Sequence, residues 1–160
     1  MAGLGDLVKF LDRKVATAFD RAARETARQV VDDLRFEGPW WTGEFARAWE
    51  VRVGDVDIPA DRGEAFEWNA SFSERTSRQQ LPSVTIPEIS GRQAIFKNRY
   101  TIGNRMRYRD IALDLAPGRI KGGGNETAPQ DWYVLYASGG RLDRAIKLAS
   151  EPVFRAIGFR

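Results

Sequence analysis

The sequence contains no cysteine and no histidine. Without thiols there is neither a disulfide framework nor a thiolate metal site, so the fold has to hold by packing alone, as suits a reducing compartment. Without imidazole there is no Ser-His or Cys-His nucleophile pair, no histidine zinc site, and no side chain whose ordinary pKa lies near neutrality. Long apolar runs are missing too: nothing approaches the roughly 18 to 20 residues of a membrane span. The first residues carry Asp6 and Asp12 among their apolar neighbours and lack the basic start and apolar middle of a signal peptide. A soluble product of the cytoplasm with no membrane partner is therefore expected.

Carboxylate and lysine chemistry remains open. Asp32 with Asp33, or Asp55 with Asp57, would suit a hydrolase or a hard cation, but each pair lies in a charged stretch without further ligand spacing and reads as a solvated face. The run Gly122, Gly123, Gly124 is followed by no Lys-Ser or Lys-Thr pair and has no strand-to-helix setting, so it reads as a loop rather than a phosphate cradle. No enzymatic activity, cofactor or metal is expected. At 160 residues with 42% hydrophobic content, the chain is long enough for a real core and short enough for one domain, residues 1–160.

Hydrophobic spacing supplies the architecture. Leu4, Leu7, Val8, Leu11, Val15, Phe19, Ala22, Ala23, Val30 and Leu34 recur at three- and four-residue steps, while Arg13, Lys14, Asp20, Arg24, Asp32 and Arg35 fill the other positions. This predicts one amphipathic helix over about 4–36, ended by Gly38 and Pro39. Such a helix is longer than a small domain is wide, so its first half, Leu4 to Phe19, either packs on the domain or docks on a neighbouring subunit. Trp49, Val51 and Val53 alternate with Glu50 and Arg52, which predicts a strand over 46–54. Residues 55–91 open with a charged, Ser-, Gly- and Pro-containing stretch read as a loop or insertion. Val84 and Ile86, a turn at Ser90 and Gly91, and Phe96, Tyr100 and Ile102 then read as a hairpin, with Pro82 and Pro87 making its first arm an edge or irregular strand. A short helix follows over 108–115, then a loop over 119–130. A closing helix has apolar positions Trp132, Leu135, Leu142, Ile146, Ala149 and Val153 and is broken in two at Gly139 and Gly140. The fold class is α+β, with a long N-terminal and a C-terminal helix on a small antiparallel sheet.

Charge is uneven along this order. Residues 1–91 hold 12 basic and 16 acidic side chains, residues 92–121 hold 8 and 2, and residues 122–160 hold 5 and 4. The basic centre includes Arg99, Arg105, Arg107 and Arg109, with Tyr100 and Tyr108 between them. Arginines so placed can meet phosphate or carboxylate, which leaves a small DNA-binding module and a subunit that pairs with acidic surface on other copies both open. Trp40 and Trp41 are adjacent on one connection and cannot easily enter the same core, which makes them candidate interface anchors.

Several segments also follow a familiar order. An N-terminal helix leads to Pro39, Trp40, Trp41, Thr42 and Gly43, then through Phe45, Ala46, Arg47, Ala48 and Trp49 into a strand. Asn104 and Tyr108 come next, then Leu113 with Asp114, Gly118, Ala128 and Pro129. Together these cover most of the chain and resemble the neck and tail-completion family of tailed bacteriophages. The departures are Asp114 where that family has Glu, and a longer 55–91 stretch, which would also suit a tail terminator of the same region. The resemblance implies a virion protein without catalysis, made in the host bacterial cytoplasm. It implies a ring of identical copies that joins the head connector to the tail, contacts connector and tail proteins, and surrounds the viral DNA. An interface that closes into a ring needs two different complementary patches on each copy, and an acidic N-terminal half with a basic centre provides them.

Overall fold

The computed structural model describes residues 4–39, 43–61, 81, 83–89, 99–107, 109–113 and 131–158. The first helix, α1 (Leu4–Glu37), is 34 residues long, about 50 Å at 1.5 Å per residue. A one-turn helix α2 (Glu44–Arg47) follows Gly43, and strand β1 (Trp49–Val53) leaves it directly. Strand β2 (Tyr100–Asn104) pairs antiparallel with β1, Trp49 opposite Asn104 and Val53 opposite Tyr100. Among the described residues three more helices follow: α3 (Arg109–Leu113), α4 (Trp132–Ser138) and α5 (Arg141–Ala156). The chain is thus an α+β fold with a long N-terminal and a C-terminal helix on a two-stranded antiparallel sheet.

The elements meet in two layers. Ala27, Val30, Val31 and Leu34 of α1 form the main core with Phe45, Trp49, Val51, Ile86, Met106, Ala112, Trp132 and Tyr136. Helix α5 runs antiparallel along α1. Arg141 Nη1 donates to Glu37 Oε2 at 2.5 Å near one end, and Val153 packs on Ala18 and Ala22 near the other. At 16 residues α5 covers less than half of α1, and the N-terminal end of α1 around Val8 extends past it.

The structure corrects several sequence expectations. Ala46, Arg47 and Ala48 belong to the α2 turn rather than to the strand, because Arg47 N–H and Ala48 N–H donate to Gly43 O and Phe45 O. The ladder partner of Tyr100–Asn104 is β1 instead of the Val84–Ile86 arm. That arm makes no ladder pairing, which suits its flanking prolines, while the Ile86 side chain enters the core. The turn at Ser90 and Gly91 lies outside the described residues. The described part of 55–91 is anchored, since Ile58 is buried against Gly103. In α4 the buried positions are Trp132 and Tyr136, and Leu135 faces solvent. In α5 they are Ala145 and Val153, with Ile146 exposed.

The break between α4 and α5 falls where the sequence places it. A Cβ at Gly139 would stand 2.2 Å from Leu135 O, and Gly140 has φ 81°, so neither site admits an ordinary side chain. The helical phase restarts after this break, so the apolar spacing of α4 does not carry over to Ile146 in α5, while within α4 the four-residue step from Trp132 to Tyr136 is the one that enters the core.

Tyr136 is expected to make the fold's stability sensitive to alkaline pH. Its hydroxyl donates to Asp33 Oδ2 at 3.3 Å, and Asp33 Oδ1 accepts from Gln29 Nε2 at 2.7 Å. Burial, and next the Asp33 carboxylate beside it, push the phenol well above its ordinary pKa. A folded pKa above the unfolded one gives stability that is complete below the unfolded value, about 10, and is lost as pH rises beyond it. Thermal melts between about pH 9 and about pH 11 are therefore expected to show stability falling on the alkaline side. Tyr136→Phe, less stable at pH 8, should show a flatter decline. An equally steep decline in the variant would rule Tyr136 out as its source.

Candidate functional site

Among the described residues no group of three or more carboxylates is placed to hold a metal ion. Asp32 and Asp33 diverge, as successive helix residues do: Asp33 turns to Gln29 and Tyr136, while Asp32 lies 3.8 Å from Arg35. Burial raises the Asp32 carboxyl pKa, and the Arg35 and Arg28 guanidinium groups oppose that shift. Arg35, placed by the sequence pattern on the polar face, is buried and donates from Nε to Ala46 O at 3.0 Å, tying the end of α1 to α2. Its burial lowers its own pKa. These groups serve the fold, so the candidate site is a surface.

The basic centre divides in two. Arg105 donates to both carboxylate oxygens of Asp61 and lies 3.4 Å from Glu50, so much of its charge is met within its own chain. The Asp61 hydrogen bonds raise its pKa. Arg109 donates to the carbonyls of Ile58 and Asn104 and lies 3.6 Å from Asp110. Both therefore act as braces between β2, α3 and the strand-exit segment. Arg99 and Arg107 are exposed. Trp40, Trp41 and Tyr108 lie outside the described residues, as do Thr42, Asp114, Gly118, Ala128 and Pro129. Asn104, one of the residues that carry the family resemblance, lies at the end of β2 and is buried against α2.

An uncovered apolar surface lies at the N-terminal end of α1. Val8 is 50% exposed, Phe10 52% and Leu11 51%, and Phe19 is exposed beside Phe154, their ring centroids 5.0 Å apart. Val8 and Leu11 continue the stripe that Ala18 and Ala22 bury against α5, and they are left bare because α5 ends before reaching them. Between the two helices lies an open groove of about 400 Å³. Phe10, Ala18, Val153 and Ile157 supply its apolar floor, and Arg13, Lys14 and Arg21 its rim. Lys14 Nζ stands 4.6 Å above the Phe10 ring, a cation–π contact that holds the rim over the floor. Phe10 was missed in the sequence because it lies off the main stripe. Its only signal there was an aromatic residue among basic ones.

None of the described helices is long and apolar enough to cross a membrane. Compared with protein-family models, with curated proteins and with solved structures, the chain gives no match in any of the three.

Proposed function

We propose that this chain is a non-enzymatic structural subunit of a tailed-bacteriophage virion, forming a ring in the neck between head connector and tail. The observation that carries the reading is the bare end of α1. Exposed apolar surface of this kind marks an interaction site: Val8 and Leu11 continue the stripe that the chain buries at Ala18 and Ala22, and Phe10, next in sequence to Leu11, is exposed as well. The order of Pro39, Thr42, Gly43, Asn104 and Tyr108 supports the neck assignment in particular. A separate DNA-binding module is less favoured, because Arg105 and Arg109 are engaged within the fold.

Electron microscopy and sedimentation of the purified protein, alone and then with connector and tail proteins, test the proposal. Closed rings, or co-assembly with those partners, are expected. A compact monomer at every concentration and indifferent to the partners would overturn it. Ring formation is also expected to weaken with salt. Raising the salt from about 0.1 M to about 1 M shortens the screening length from roughly 10 Å to 3 Å and should raise the concentration for half-assembly by about tenfold. An assembly state unchanged by salt would remove charge from this account.

A further inference from the structure

The loop leaving β1 presents an acidic knob. Gly54, at φ 92°, turns the chain out of the sheet. Its N–H donates to Arg99 O at 2.7 Å, and its carbonyl accepts from Thr101 Oγ1 at 2.5 Å. Arg52 Nη1 donates to Asp57 O at 3.1 Å on the far side. Held between these bonds, Asp55, Val56 and Asp57 all face solvent, with Val56 43% exposed. An aliphatic side chain is thus displayed between two carboxylates on a pinned turn. The α1–α5 groove is its converse, an apolar floor under three basic side chains with no acidic residue lining it among the described residues.

Resting on the ring reading above, we propose that the Asp55-Val56-Asp57 knob of one copy docks in the Phe10–Ile157 groove of the next, head to tail. Charge selects this pairing. Groove against groove would oppose Arg13, Lys14 and Arg21 to themselves, and knob against knob would oppose aspartates, so only the unlike pair brings opposite charges together. The knob lies at the end of the sheet and the groove between the two long helices, so one copy offers both at once. A contact between two different patches of the same chain propagates, closing into a ring when the rotation permits. Val56 supplies the apolar contact, and the two carboxylates fix its register against the rim.

The test is charge reversal on exposed positions, with circular dichroism to check that each variant stays folded. Mass photometry across a concentration series compares the wild type with the knob variant Asp55→Lys, Asp57→Lys and the groove variant Arg13→Glu, Lys14→Glu, Arg21→Glu. Each alone is expected to raise the half-assembly concentration at least about tenfold. Mixed in equal amounts they should assemble again, because every knob then faces a groove of opposite sign, and the variant carrying all five changes should assemble by itself. Wild-type assembly matched by both single variants, or no rescue in either combination, would overturn the proposal while leaving the structural-subunit reading in place. A groove variant that self-assembles normally but no longer binds a neck partner would assign the groove to that partner and likewise overturn it. A wild type that never assembles would sink both.

Discussion

Trp132→Ala is expected to destabilise the protein by about 3–5 kcal/mol, measured by denaturant unfolding at neutral pH. Trp132 is 2% exposed and sits where α1, α2, α3 and α4 converge. Its ring packs edge-on to Phe45, centroids 6.3 Å apart, and Nε1 donates to Ala112 O at 2.8 Å. A methyl added at Gly38 would lie 3.2 Å from its Cη2, so the end of α1 is packed against the indole closely. Removal leaves a cavity that four separate elements would have to move to fill, and an Ala112 carbonyl without its donor. Typical domains are stable by about 5–15 kcal/mol, so the loss is a large fraction of the total. Trp132→Phe keeps most of the volume but drops the hydrogen bond, and should cost about 1–3 kcal/mol. Equal losses for the two variants would show that the indole N–H, rather than packing, holds the junction.

Asn104→Ala should cost about 2–4 kcal/mol, because one side chain satisfies two buried backbone groups. Asn104 Nδ2 donates to Phe45 O at 2.8 Å, and its Oδ1 accepts from Met106 N–H at 3.0 Å. The first bond ties β2 to α2, and the second fixes the chain's exit from the strand toward α3. Alanine can make neither, and the site is too enclosed for bulk water to replace both. Asn104→Asp keeps the shape but sets a carboxylate oxygen against Phe45 O, so it should be no better than alanine at neutral pH. Hydrogen exchange at Met106 N–H reports the same contact directly. Unchanged protection in Asn104→Ala would show that the clamp contributes little.

Much of this fold was legible in the chain. The α1 pattern held because three-four spacing over nine turns is far stronger than any local exception, and the Gly38-Pro39 stop is chemically unambiguous. β1 kept its alternation, with Trp49 and Val51 buried and Glu50 and Arg52 less so. The break at Gly139 and Gly140 was also fixed locally, by a backbone that no larger residue could follow. Less was legible at the site. The bare stripe on α1 was visible as one of two options, since apolar spacing says which face seeks cover but not how much cover the chain supplies. Arg105 and Arg109 read as members of a basic surface, yet Asp61 and the Ile58 carbonyl, about 45 to 50 positions earlier in sequence, engage both.

Local pattern sufficed for the course of α1, the alternation of β1, the stop of α1 and the break between α4 and α5, because these depend on backbone chemistry and on spacing within a few residues; it misplaced the α2 turn and the Val84–Ile86 arm. The sequence also excluded thiol and imidazole chemistry outright. Tertiary packing alone set the pairing of β2 with β1, the burial of Arg35 and Asn104 as clamps, and the end of α5 short of Val8 and Leu11. Each of those depends on which distant segment comes to lie alongside. Strand partners and helix overlap are set by the free energy of the whole core, to which no local pattern has access.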